Sequence, residues 1–181
     1  MARISRLGRS QVAGAARDAF DRKIAERGSI PNMYRVFAHR PWILSTMDAH
    51  FSAVMGSGTV PLKLKELLAL QTSLANGSEY CTRSTTELAE RLGASPEQIG
   101  SLLDFEDGPF DDREKAALRF GLAMTRQAAG ISDEVFADVR RHFDEAEVVE
   151  IACVVGLFAY FNRFNDALRT EPTAAGEGVD S

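Results

Sequence analysis

Residues 145–168 read EAEVVEIACVVGLFAYFNRFNDAL, and this stretch decides the fold class. Val148, Val149, Val154 and Val155 are β-branched and taken singly would suit a strand. They lie inside a long helical run, however, and length overrules propensity, so the pattern predicts one helix from about Glu145 to Leu168. Its longest apolar run, Ile151 to Phe161 counting Gly156, is eleven residues and too short to span a bilayer.

The helical period continues upstream. A cap at Ser132 predicts a short helix to His142, and another runs from about Asp112 to Gln127. Ser95-Pro96-Glu97-Gln98 is a helix start with its cap, a proline at the first position and Gln98 at the third. Ser78 caps a helix to Leu92, with Gly93 just past its end. The preceding segment opens at Pro61, carries Leu64, Leu67, Leu68 and Leu70, and stops at Asn76-Gly77. A helix from Trp42 to about Met55 ends at Gly56-Ser57-Gly58, and Pro31 starts a short one to about His39. Residues 10–26, capped by Ser10, place Val12, Ala16, Phe20 and Ile24 on one stripe. No segment alternates with period two. The expected fold is all-α, a single domain over residues 1–172 with eight or nine short helices, followed by a disordered tail at residues 173–181.

The 181 residues are 45% hydrophobic and 26% charged, an ordinary globular composition. Twenty-one basic against 26 acidic residues give a net charge of −5. With no long basic block, nucleic acid and anionic membranes are unlike partners. Arg3, Arg6 and Arg9 are not followed by an apolar stretch, so no secretory signal is read and the expected location is cytoplasmic. Two cysteines, Cys81 and Cys153, make no disulfide framework. His39, His50 and His142 lack metal-ligand spacing, and there is no phosphate loop or nucleotide fingerprint; no nucleotide, flavin or metal is expected.

The chemistry concentrates in Asn76-Gly77-Ser78-Glu79-Tyr80-Cys81-Thr82-Arg83-Ser84-Thr85. With Ser78 as the cap, Cys81 is in the first helical turn, where amide hydrogens lack intrahelical partners and the macrodipole is positive. Both effects favour a thiolate. Ser78, Cys81 and Thr85 are spaced i, i+3 and i+7 and share one face. The Ser78 hydroxyl is placed to bond either the Cys81 amide or the sulfur. Cys153, apolar on both sides, reads as core. Glu66 sits among leucines, while Arg83 points to another face of its helix. Arg163 and Asn162 interrupt an apolar face and are read as one network, with an acid at a subunit contact or in the pocket. Trp42, Phe158, Phe161 and Phe164 read as core or interface, and the apolar last helix as closing a homo-oligomer.

Several of these stretches together resemble the AhpD-like alkyl hydroperoxidase and carboxymuconolactone decarboxylase superfamily. They are Ile30-Pro31-Asn32-Met33-Tyr34 with Ala38-His39-Arg40-Pro41, Lys65-Glu66-Leu67-Leu68 with Asn76 to Cys81, and Glu147 to Leu168 with Phe161-Asn162-Arg163 inside it. The resemblance covers residues 28 to 172. It implies an all-helical fold, trimers or hexamers, and a redox motif of Glu, Cys-x-x-Cys and a His four residues on. Carried onto this chain, the acid falls on Glu66, the first Cys on Ser78, the peroxide-attacking Cys on Cys81 and the His on Thr85. With serine at 78 the dithiol cycle cannot close, and threonine at 85 cannot relay a proton near neutral pH. The leading expectation is a one-cysteine peroxidase-like thiol oxidoreductase taking a hydroperoxide, regenerated by an external thiol reductant. Cys81 is its nucleophile, Glu66 its proton partner, and Ser78 and Thr85 are donors to sulfur or peroxide oxygen. Tyr80, His50 and Arg163 are candidates for binding the small-molecule substrate. A carboxymuconolactone decarboxylase-like lyase or isomerase would instead take a small carboxylate or lactone, with Glu66 as its acid–base group and Arg83 or Arg163 essential. A third possibility is a catalytically inactive member used for assembly or binding.

Overall fold

The structure, a computed structural model, describes residues 2–56, 58–174 and 176–180. Ser57, within the expected stop after the third helix, and Ala175 and Ser181 of the expected tail lie outside them. Among the described residues there are nine α-helices, three short 3₁₀ turns and no strand. The helices are α1 Gly14–Arg27, α2 Asn32–Phe37, α3 Pro41–Gly56, α4 Leu62–Asn76, α5 Glu79–Arg91, α6 Pro96–Gly100, α7 Asp112–Gln127, α8 Asp133–His142 and α9 Glu145–Leu168. The all-α reading holds, and the valine-rich last stretch is one helix of 24 residues. None of the helices is long and apolar enough to cross a membrane.

The chain divides into two compact units. Unit 1 comprises residues 1–53 and 164–181. Its centre is α2, every residue of which is buried. Phe37 stacks on Phe164 at 3.9 Å between ring centroids. Asp48, on α3, receives the Tyr34 hydroxyl at 2.7 Å, Arg22 at 2.8 Å and the Lys23 ammonium at 3.3 Å, so α1, α2 and α3 meet on one buried carboxylate. Trp42, expected in a core or interface, is outside the core of the single chain at 64% exposed, with the Arg40 guanidinium over its ring. The residues read as a disordered tail hydrogen-bond to this unit: Arg35 donates to the carbonyls of Gly178 and Val179, and Arg6 pairs with Glu177.

Unit 2 comprises residues 54–163 and is built on α4. Residues 64–73 of α4 are buried without a break, the signature of a helix covered on all sides. Helices α5 and α7 pack against α4, and α8 packs on α7. Lys65 is 1% exposed, donates to the Val54 carbonyl at 2.7 Å and forms an ion pair with Glu150 of α9. Glu150 also accepts from the amides of Thr59 and Val60 and so fixes the α3–α4 connection.

Candidate functional site

The site begins where α4 ends. Gly77 takes φ +70°, the left-handed conformation that glycine adopts without steric cost. The Ser78 amide then donates to the Ser73 carbonyl at 3.0 Å, closing a Schellman pattern on α4. Ser78 is at the same time the N-cap of α5, with extended φ −82° and ψ 101°. One residue therefore closes one helix and opens the next, which ties the start of α5 rigidly to α4. The first turn of α5 closes with the Thr82 amide on the Ser78 carbonyl at 2.9 Å, and Cys81 lies inside that turn. The sequence had placed Cys81 there, and the structure agrees.

Cys81 is 4% exposed, Glu66 4%, Tyr80 8%, Thr85 2% and Ser78 fully buried. All five belong to unit 2, on the packed pair α4 and α5. Two details bear on the roles expected of the hydroxyls. The Ser78 hydroxyl makes no capping bond to the first turn of α5. The Thr85 hydroxyl donates back to the Cys81 carbonyl at 2.8 Å, a habit of threonine in helices, and its hydrogen is committed to the backbone rather than offered to a substrate.

His50 and Arg163 are both exposed. His50 is exposed on α3 in unit 1. Arg163, expected to meet an acid at a subunit contact or in the pocket, is exposed in the single chain and donates to the Ala159 carbonyl one turn back on its own helix. Nor does it share a network with Asn162, which is 1% exposed and turned inward: its Nδ2 donates to Ser73 Oγ at 3.1 Å and its Oδ1 accepts from Asn76 Nδ2 at 2.9 Å. Arg83 is half-exposed and near Glu87 at 3.8 Å. The ion pair of buried Lys65 with Glu150 escaped the sequence reading; only a pairing between distant segments could have revealed it. Cys153 is partly exposed rather than core. Among the described residues no group of His, Cys, Asp and Glu is arranged to hold a metal ion.

The model of the carboxymuconolactone decarboxylase family matches residues 41–123, the segment containing α4 and α5. The uncharacterized protein YdfG of Bacillus subtilis is 27% identical over 106 residues, 58% of this chain and 72% of YdfG. An uncharacterized peroxidase-related protein from Silicibacter superposes with a TM-score of 0.80 and 26% identity, covering 87% of this chain and 84% of its own. The debrominase Bmp8, crystallised as a cysteine-to-alanine variant with 2,3,4-tribromopyrrole, has a TM-score of 0.83 and 24% identity, covering 94% and 91%. Together with the order of the helices, these matches make the chain similar to the carboxymuconolactone decarboxylase family over residues 41–123 and, in fold, to AhpD-like peroxidase-related proteins.

Proposed function

We propose that the chain is a thiol oxidoreductase that reduces hydroperoxides through Cys81 alone. The observation that carries this reading is the position of Cys81, ahead of the first main-chain bond of α5 on a turn locked to α4. The positive end of the helix favours the thiolate, which is the attacking species. The thiolate attacks the terminal, hydrogen-bearing oxygen of the hydroperoxide, the O–O bond breaks, and Cys81 becomes a sulfenic acid. The proton that left the thiol passes by way of Glu66 to the departing alkoxide, giving the alcohol. An external thiol then condenses with the sulfenic acid, releasing water, and a second displaces the mixed disulfide to restore Cys81. Serine at 78 makes that external reductant necessary.

The lyase reading requires basic groups for a carboxylate, and the two it named, Arg83 and Arg163, are on the surface with other neighbours. The near-complete burial of Cys81 favours small peroxides over bulky ones. The expected homo-oligomer remains part of the proposal, with Val149 and Tyr160 of α9 left 62% and 45% exposed as a contact face; sedimentation velocity tests it.

Consumption of hydrogen peroxide with a dithiol reductant is the direct test, with a brominated pyrrole assayed alongside. Cys81→Ser should abolish turnover, and Glu66→Gln should lower it by about 10²-fold, the usual worth of a general acid–base group. Retained peroxide turnover in Cys81→Ser overturns the reading. Debromination without peroxide reduction would move the substrate class, and an inert thiol with neither activity would favour a member used for assembly.

A further inference from the structure

We infer that Asn162 is a positioning residue for Cys81, acting from α9 through the end of α4; the inference rests on the reading of Cys81 as the reactive thiol. Asn162 is 1% exposed and follows the apolar run 151–161, where an apolar side chain would fill the space without a polar group to satisfy. Its carboxamide is used at both ends. Nδ2 donates to Ser73 Oγ at 3.1 Å, and Oδ1 accepts from Asn76 Nδ2 at 2.9 Å. Ser73 Oγ in turn donates to the Ala69 carbonyl at 2.7 Å, which fixes its rotamer.

Ser73 and Asn76 both belong to the last turn of α4, the part of a helix that frays first. Ser73 is also the residue whose carbonyl receives the Ser78 amide. A continuous path of hydrogen bonds therefore runs from Asn162 to Ser73, from Ser73 to Ser78, and from Ser78 to the turn that contains Cys81. A Schellman pattern by itself sets the direction of the chain. Side-chain bonds from a second helix hold it there, as a site needing sub-ångström placement requires.

Removing the clamp leaves Asn76 able to bond water, because it is only partly buried, and leaves Ser73 its bond to Ala69. The fold therefore tolerates the loss, and the effect appears at the start of α5. With the turn loosened, the amide dipoles no longer hold a fixed direction towards the sulfur, and the thiolate loses part of its stabilisation.

The test compares the full-length wild-type chain with Asn162→Ala, and with Asn76→Ala, which removes half the clamp from the wetter side and serves if Asn162→Ala fails to fold. Val139→Ala, a buried truncation in α8, controls for general destabilisation. Two readouts are taken: the pH profile of Cys81 alkylation by iodoacetamide, resolved from Cys153 by peptide mass, and amide hydrogen exchange over residues 77–82. The inference expects Asn162→Ala to move the alkylation midpoint to higher pH and to speed exchange of residues 77–82 several-fold, with Asn76→Ala moving both in the same direction and Val139→Ala moving neither. Profiles and exchange that superimpose on wild type in both clamp variants, or an equal shift in Val139→Ala, overturn it. A wild-type midpoint at the ordinary thiol value of about 8.5 would instead overturn the activated-thiol reading; the clamp is then decided by the exchange data alone and falls if residues 77–82 exchange alike with and without Asn162.

Discussion

At residue 78 the chain carries a hydroxyl where the Cys-x-x-Cys motif it resembles has a thiol, and in the proposed reading that one atom separates an internal disulfide cycle from a dependence on outside reductant. Ser78 and Cys81 are three residues apart across the first turn of α5, which brings their β-carbons to about 5–6 Å. That is close to the reach of a disulfide, and a small adjustment at the helix start closes it. Ser78→Cys should therefore form an intramolecular disulfide with Cys81 after a peroxide pulse, seen as the loss of two hydrogens by intact mass, and should accept electrons from a dithiol without a trapped mixed disulfide. A sulfenic or overoxidised Cys81 beside a free thiol at 78 would show that the turn is too rigid for the exchange. Thr85 bears on the same question. Its hydroxyl holds the Cys81 carbonyl, so Thr85→Val should leave peroxide turnover close to wild type if the residue is structural. The sequence placed Cys81 in the right turn because caps and glycine stops are local signals. It could not fix which acceptors the Ser78 and Thr85 hydroxyls take, because that choice depends on rotamers set by packing.

Among the elements, the α3–α4 connection shows what local signals miss. Gly58 has φ +98°, and a β-carbon there would run into the Glu150 carboxylate. That carboxylate also holds the Thr59 and Val60 amides and the buried Lys65 ammonium. Gly58→Ala should therefore carry both the left-handed backbone penalty and displacement of a buried charge from its partner, together about 3 kcal/mol or more. Urea unfolding should show a lower midpoint with an unchanged slope; a midpoint within error of wild type would mean that Glu150 swings aside freely. In the sequence, Gly56-Ser57-Gly58 signals only a stop. The role of Gly58 depends on a helix that begins far along the chain. The contrast is the start of α6, where Ser95 Oγ accepts the Gln98 amide at 3.1 Å and Gln98 Oε1 accepts the Ser95 amide at 3.2 Å, a capping box legible from four residues. Ser10 looked like a similar cap and is not one. The chain makes a 3₁₀ turn at Arg9–Gln11, stays extended at Val12 and Ala13, and α1 starts at Gly14. The Ser10 amide goes to Asp180 Oδ1 at 2.6 Å and the Arg9 amide to the Val179 carbonyl, so partners from the other end of the chain determine the local structure.

On the scale of the whole molecule, the response to pH should be governed by the buried cluster at Asp48. Burial alone pushes this carboxyl up, but the hydrogen bonds from Tyr34 and Arg22 and the charge of Lys23 outweigh it and hold Asp48 below the ordinary aspartate value. A group depressed in the folded state stabilises fully above its unfolded value of about 3.9, and that stabilisation is lost as pH falls through the lower folded value. Tyr34 is the opposite case. Burial first, and the Asp48 carboxylate second, raise its phenol, so its contribution is complete below about pH 10 and is lost as pH rises towards the folded value. Asp21 and Asp180 are also held low, by the Arg9 side chain and by the Ser10 amide respectively, but both are open to solvent and such pairs contribute little. The acid limb of a stability profile should therefore trace largely to Asp48. Asp48→Asn should cost on the order of 3 kcal/mol at pH 7, because Lys23 is 5% exposed and, among the described residues, is left with Glu26 as its acidic partner. It should also flatten the decline below about pH 4, while Tyr34→Phe flattens the alkaline side and, by removing one of the bonds that hold Asp48 low, makes the acid limb shallower as well, though less than Asp48→Asn does. Urea midpoints across pH for the three proteins decide the matter. Parallel acid limbs for wild type and Asp48→Asn would place the responsible carboxylate elsewhere. Coincident alkaline limbs for wild type and Tyr34→Phe would mean that water reaches the phenol before the fold opens.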